Sequence, residues 1–247
     1  MKIIISPAKK LTNEKTTALK ISKIEFLNET KYLVNELKKY NLDDLQKLMG
    51  LSDSLAKINF ERYKQWSLKS QQVSPAIFMF QGDVYKGLKA DKFSEKELDF
   101  AQNNLRIISG LYGLIKPLDM IFPYRLEMGT HIETSAGNSL YNFWGDKLKN
   151  SLLDEMETEE KIVNLASNEY SKALKIDSIK SQVITPVFKD YKNGKLKVIS
   201  FYAKKARGEM ANYIIQNKIT NPLDIESFST DGYKFNSKDE QTLLFIR

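Results

Sequence analysis

No cysteine occurs in this sequence, and His131 is its only histidine. The first absence excludes disulfides, thiolate nucleophiles, thiol redox sensing, iron–sulfur clusters and zinc knuckles. The second leaves no imidazole cluster for a metal, and any Ser–His triad would have to use that one residue. Arginine is scarce too: of 38 basic residues five are arginine, namely Arg62, Arg106, Arg125, Arg207 and Arg247. No stretch approaches the ~20 apolar residues of a membrane span, and the apolar run after Lys2 is far too short for a signal peptide. A soluble cytoplasmic protein with no membrane association is the expectation.

What is present points to a globular chain. At 247 residues it is long enough for one large domain or two small ones, and 42% hydrophobic with 11% aromatic residues is ordinary for a protein with a core. The formal charge of +7 makes polyanions plausible partners. That excess is mostly a lysine bias spread over solvated faces, so by itself it supports nucleic acid weakly. The arginines are more informative. Their planar fork binds phosphate or carboxylate bidentately, as lysine cannot; structural pairing with carboxylates is the competing role for each.

Apolar spacing of three to four (Ile24, Leu27, Leu33, Leu37, then Leu42, Leu45, Leu48) predicts helix over 23–66, with a restart at Leu51-Ser52-Asp53. AIFMF (76–80), ended by Gly82, reads as a short buried strand. Ser94 with Glu97 is a capping box opening a helix to about Asn104, and 139–156 is helical again. KIVNLAS, QVITPVF and TLLFI read as strands. In VFKDYKNGKLKVISFY, Asn193-Gly194 between two apolar runs is a hairpin signal, and a helix is expected from about 205 to 217. With no linker or repeat, the expectation is a single α+β (mixed α/β) domain over 1–247, a mixed sheet covered by helices.

Three strand exits share a pattern. IIIS runs into PAKK, IVNLAS into NEYSK and ISFYA into KKARG. Ligands of open α/β sheets collect at the carboxyl ends of strands, so Ser6, Lys9, Lys10, Lys204, Lys205 and Arg207 form an anion site if the first and penultimate strands are neighbours. Two adjacent lysines opening a helix also oppose the macrodipole, a broken local rule of the kind that marks function. A second constellation is LRIISGLYGLIKPLD (105–119). Gly110 and Gly113 flank Leu111-Tyr112, and Arg106 and Lys116 bracket the turn. This fits either a helix-hairpin-helix element near 94–120, laying backbone N–H groups against a DNA phosphate, or a plain strand and turn. Asp83, Glu127, Asp146 and Glu169 sit beside aromatics and glycines, but no tight spacing pairs them for acid–base work or a metal.

The blocks IISPAK, FQGDVYKGL, FAQNNLRIISGLYGLIKPLD, PYRLEMG, YNFWGD, NLASNEY, ITPVFKD and ISFYAKKARG, in this order from residue 3 to about 217, resemble the YaaA family of bacterial peroxide-stress proteins. The resemblance implies a cytoplasmic protein of the hydrogen peroxide response, linked to limiting free iron and hence oxidative DNA damage. It also implies a mixed α/β fold with a basic cleft and a helix-hairpin-helix element that binds DNA. By position the element matches 109–116, and the cleft would take in Lys9, Lys10, Lys204, Lys205 and Arg207. It carries over no catalytic activity.

The leading expectation is therefore DNA binding through phosphates, without base readout, by a chain needing no cofactor, metal or obligate protein partner and expected as a monomer. Its contact residues would be Ser6, Lys9, Lys10, Arg106, Gly110 to Gly113, Lys116, Arg125, Lys204, Lys205 and Arg207. The rival is an enzyme acting on a nucleotide or another phosphorylated small molecule at the same strand ends, with Asp83 or Glu169 transferring protons. A closed pocket favours the rival and a long open basic groove favours DNA. Direct iron handling by the carboxylates ranks last.

Overall fold

Lys2–Ile5 (β1) is buried at every residue, as an isoleucine-rich strand must be when both faces of its sheet are covered. The computed structural model describes residues 1–12 and 22–247; Glu14, the first acid after the lysine pair, lies outside them. After β1 come β2 (Lys10–Leu11) and three helices, α1 (Leu27–Leu37), α2 (Leu42–Met49) and α3 (Asp53–Gln65), which divide the helical stretch expected over 23–66. Then follow β3 (Ser74–Pro75), α4 (Ala76–Met79), β4 (Phe80–Gln81), α5 (Asp83–Leu88), α6 (Glu95–Asn104), β5 (Leu105–Ser109), β6 (Gly113–Ile115) and β7 (Met120–Ile121). The remainder comprises α7 (Leu140–Trp144), α8 (Lys147–Asp154), β8 (Ile162–Leu165), α9 (Asn168–Ser171), β9 (Val183–Lys192), β10 (Lys195–Lys197), α10 (Ser200–Gln216), β11 (Lys234–Lys238) and β12 (Thr242–Ile246).

The main sheet runs β11-β12-β9-β8-β1-β5-β6, with β10 paired to β9. From β12 through β5 neighbouring strands are parallel, while β6, β10 and β11 are antiparallel additions. Helix α10 packs on β1, β8 and β9, α6 on β5 and α8 on β6. This is the mixed, helix-covered sheet expected. No helix among the described residues is long and apolar enough to cross a membrane.

Local chemistry explains the expected elements that form. Ser94 Oγ accepts from the Glu97 N–H while the Glu97 carboxylate accepts from the Ser94 N–H at 2.6 Å, closing the capping box of α6. Asn193 (φ +53) and Gly194 (φ +72) make the two-residue turn between Lys192 and Lys195, where both residues must adopt positive φ. The helix expected over 139–156 divides in two at Gly145 (φ +53).

Three expectations are corrected. AIFMF is a helical turn, not a strand. Ala76 and Ile77 donate to the Asp119 and Pro117 carbonyls, and only Phe80 enters β4; a short run apolar throughout carries no period to tell strand from helix. LKVISFY is not a continuous strand either. β10 stops at Lys197 and helix begins at Ser200, with Val198, Phe201 and Tyr202 exposed and Ala203, Ala206 and Met210 buried at helical spacing. The helix-hairpin-helix expected near 94–120 is one helix, α6, followed by the β5–β6 hairpin. Ile107 and Ile108 are fully buried in β5, which pairs with β1 and β6, and after β6 the chain turns through Pro117 into β7. The plain strand-and-turn alternative therefore holds. Strand β11 escaped notice because KFNSK has a single apolar residue.

At the amino ends of β1 and β5, a cationic cluster closes on one carboxylate. Arg106, 2% exposed, donates from Nε to Glu155 Oε2 at 2.9 Å and from Nη1 to the Gln102 and Leu105 carbonyls. Lys116 Nζ lies 3.0 Å from Glu155 Oε1, and Lys2 Nζ 3.9 Å from Oε2. Burial acts to raise the Glu155 pKa, but Lys116 and Arg106 outweigh it and hold the carboxyl below its ordinary range. A carboxyl so depressed contributes stability that is present above its unfolded pKa, near ~4.3, and lost as pH falls through the folded value. Glu155→Gln is therefore expected to cost about 3 kcal/mol at pH 7, because Arg106 stays buried without its counter-ion. Urea denaturation should show the gap from wild type narrowing below about pH 4.

Candidate functional site

The sheet order turns at β1, because the chain lays β5 on one side of it and later adds β8 on the other. Ligand crevices form outside the carboxyl ends of parallel strands at such a switch point. The two exits meet there. The Ser167 N–H donates to Ser6 Oγ at 2.9 Å, and Ser6 Oγ donates to Ser167 Oγ at 3.3 Å. A cavity of ≈ 330 Å³ opens on this contact, walled by Ser6 to Lys10, Gln81 to Tyr85, Tyr124 to Glu127, Ser167 with Glu169 and Tyr170, and Lys204 with Arg207.

Each wall is held from behind. Tyr85 donates its hydroxyl to the Ser6 carbonyl at 3.1 Å, and β2 pairs with β4, tying the first wall to the second. Gly82, at φ +137, makes the bend into α5 that a side chain would oppose. The Tyr124 and Ser109 hydroxyls share a hydrogen bond of 2.6 Å, and Tyr63 donates to the Arg125 carbonyl at 2.5 Å. A Cβ on Gly110 would sit 2.4 Å from the Leu126 carbonyl oxygen, so glycine there lets the 124–127 wall lie against the β5–β6 turn. Tyr141 donates to the Glu169 carbonyl, and Glu169 Oε1 accepts from the Gly129 N–H at 3.0 Å. The last wall is the second turn of α10. It approaches α5 backbone to backbone, since a Cβ on Gly208 would lie 1.8 Å from the Val84 oxygen and one on Gly87 2.3 Å from the Lys205 oxygen.

The charges divide into paired and unpaired groups. Glu127 takes both Lys9 (2.5 Å) and Arg125 (3.0 Å), and Asp83 pairs with Lys86 at 3.5 Å. The side chains of Lys10, Lys204 and Arg207 have no hydrogen-bond or ion-pair partner among the described residues. Arg207 is half-buried, and desolvation pushes its pKa down with no carboxylate to offset the effect. A desolvated guanidinium with no carboxylate beside it has the donor geometry to bind an anion.

Of the expected contact residues, the structure gathers Ser6, Lys9, Lys10, Arg125, Lys204 and Arg207 around this cavity. Lys205 is turned away and held by Glu209 and Asp231, each at 3.0 Å, which raise its pKa. Arg106 and Lys116 belong to the Glu155 cluster at the other end of the sheet. Gly110, Leu111, Tyr112 and Gly113 are all buried. The Tyr112 N–H is taken by Ser109 Oγ, and its hydroxyl accepts from Trp66 Nε1 and donates to the Phe122 carbonyl. That turn is buried and its Tyr112 N–H is already used; it is the footing of the 124–127 wall. Asp83, Glu127 and Glu169, unpaired by sequence spacing, line the one cavity, whereas Asp146 pairs with Lys149 and Lys175 elsewhere. Tyr85, Tyr124, Tyr170 and Ser167 line the cavity unforeseen; each lies within three residues of a flagged carboxylate.

Known proteins resemble this chain along most of its length. A family model described as "Peroxide stress protein YaaA" matches residues 1–239. A UPF0246 protein of Aliivibrio fischeri strain MJ11 is 48% identical over 256 residues, covering 100% of this chain and 98% of that relative. UPF0246 proteins of Teredinibacter turnerae (47%, 96% of this chain, 94% of the relative) and Polynucleobacter necessarius (46%, 95% and 93%) match at similar length.

The α5–α10 approach makes a sharp prediction. Gly208→Ala forces a methyl against the Val84 carbonyl, so it is expected to cost about 3 kcal/mol or more in thermal or urea unfolding, the upper end for overpacking. A loss below about 1 kcal/mol would mean that the helices separate without penalty and that this contact does not fix α10.

Proposed function

The chain belongs to the peroxide stress protein YaaA family, and we propose that it takes part in that response by binding a phosphate-bearing small molecule of nucleotide size in the strand-end pocket. The observation that carries this reading is Arg207: half-buried, desolvated and without a counter-ion among the described residues, on the wall of a cavity that also receives Lys9, Lys10, Lys204 and two serines. A volume of ≈ 330 Å³ falls at the lower end of small-molecule sites. Tyr85, Tyr124 and Tyr170 supply aromatic surface for the rest of the ligand. Glu169 and Asp83 are the carboxylates on hand for proton transfer should the bound molecule be a substrate.

DNA is the second reading, and a different observation favours it. Tyr191, Val198, Phe201 and Tyr202 are 64%, 53%, 54% and 41% exposed on the segment that leads into α10. Lys189, Lys192, Lys195, Lys197 and Lys204 are interspersed with them in the sequence. Aromatic faces among lysines suit stacked bases with their phosphates, and Lys204 joins this surface to the pocket. In this reading the basic cleft spans the hairpin and the first turns of α10, with the pocket receiving one phosphate and no sequence being read.

The test is titration with a fluorescent mononucleotide and with duplex and bubble-containing DNA over a salt series, for wild type and for Arg207→Ala. The pocket reading expects saturable mononucleotide binding that Arg207→Ala weakens about tenfold or more, the worth of a charge-assisted hydrogen bond. Absence of mononucleotide binding, with DNA affinity falling steeply in salt, would replace it by the DNA reading. Loss of DNA affinity in Lys192→Ala/Lys195→Ala would then locate the contact on the hairpin.

A further inference from the structure

Resting on the pocket reading above, we infer that the ligand's anchoring group is a phosphomonoester, a terminal phosphate carrying two charges, and not the internal phosphodiester of a nucleic-acid backbone. Three independent features of the cavity lead there.

The first is charge. Lys9, Lys10, Arg125, Lys204 and Arg207 line the cavity against Asp83, Glu127 and Glu169, an excess of two positive charges. Within that set Glu127 is already shared by Lys9 and Arg125, so the cations without a side-chain partner among the described residues are Lys10, Lys204 and Arg207. A phosphomonoester near neutral pH carries about −1.5 to −2, and its second ionisation falls near pH ~6; a phosphodiester carries a single charge. The monoester is the ion that the excess neutralises.

The second is access. Five chain segments surround the cavity: the β1 exit, the Gly82 bend, residues 124–127, the β8 exit and α10. A monoester enters by one end and leaves its remaining substituent at the mouth. A backbone diester has chain continuing from both sides and needs two ways out.

The third is donor geometry. A terminal phosphate presents three non-bridging oxygens. Arg207 offers a two-pronged fork. Ser167, whose hydroxyl oxygen accepts from Ser6, keeps its own hydrogen to donate. Two lysine ammonium groups complete the set, so a monoester's third oxygen finds donors that a diester would leave unused.

One shared chemistry has two sources here, a free mononucleotide and the phosphorylated end of a nucleic-acid strand, and the experiment separates them. Calorimetric titration of the full chain would compare AMP with 3′,5′-cyclic AMP, which carries the same base and sugar on a diester, alongside inorganic phosphate. A single-stranded oligonucleotide with a 5′-phosphate would be set against the same oligonucleotide with a 5′-hydroxyl. The inference expects AMP, or the phosphorylated end, to bind at least about tenfold more tightly than its diester or hydroxyl counterpart at pH 7.5. That advantage should shrink several-fold at pH 5, where the second ionisation is lost, and disappear in Arg207→Ala. Preference for the oligonucleotide end over AMP would name nucleic-acid termini as the source. Equal binding of AMP and cyclic AMP would overturn the monoester assignment while leaving the anion pocket in place. No binding of any probe, inorganic phosphate included, would overturn both.

Discussion

The pocket depends on one constraint, the backbone-to-backbone approach of α5 and α10 at Gly87 and Gly208. α5 follows directly on the Gly82 bend and carries Asp83 and Tyr85 at its start, while α10 carries Lys204 and Arg207 in its first two turns. Without side chains between them, the helices close to van der Waals distance, and Asp83 and Tyr85 of one come to line the same cavity as the cations of the other. α10 also lies on β1 and β8, so the same helix that supplies the cations rests on the two strands whose exits form the pocket floor. A side chain at either glycine would prise the cationic wall from the floor, and the charges would then face solvent, where water would screen them.

The two ends of the sheet show why total charge is a poor guide to a binding site. At the amino ends Arg106, Lys116 and Lys2 gather on Glu155, and the guanidinium is further satisfied by backbone carbonyls at the end of α6. At the carboxyl ends Lys10, Lys204 and Arg207 meet no acceptor among the described residues. The residue types are the same. Within the second set Arg207 is desolvated with no carboxylate to offset it, an imbalance that an anion bound as proposed would remove.

Much of this was legible in the chain, and the limits have physical causes. The capping box at Ser94 and Glu97 and the Asn193-Gly194 turn were readable because each uses contacts within four residues. The β1 and β8 exits were readable as one pattern of apolar run followed by small and basic residues, but the expected neighbour of β1 was the penultimate strand; β1 lies between β8 and β5, and the KKARG cations come from α10. The strand-to-helix change inside LKVISFY was not, since Val198, Phe201 and Tyr202 have strand-like identities yet lie exposed outside the core that periodicity reports. Lys205 shows a finer limit. It stands between two residues of the pocket wall, but one step along a helix rotates a side chain by roughly 100°, and that rotation brings it to Glu209 and Asp231. The pairing of Asp83, Glu127 and Glu169 around one cavity is tertiary, and no spacing encodes it.

The Gly110–Gly113 turn carries the last step. In sequence it has the marks of a phosphate-binding turn, with glycines, a tyrosine and flanking cations. In the fold each mark has an inward use. Gly110 admits the Leu126 carbonyl, Gly113 at φ +76 lies under the ring of Trp144, and Tyr112 ties Trp66 to the Phe122 backbone. Arg106 and Lys116 go to Glu155. The segment therefore shapes the cavity at one remove, by setting the height of the wall that bears Tyr124, Arg125 and Glu127. A motif's chemistry depends on which of its donors remain unpaired after folding, and among the described residues it is the side chains of Lys10, Lys204 and Arg207, across the cavity, that have no partner.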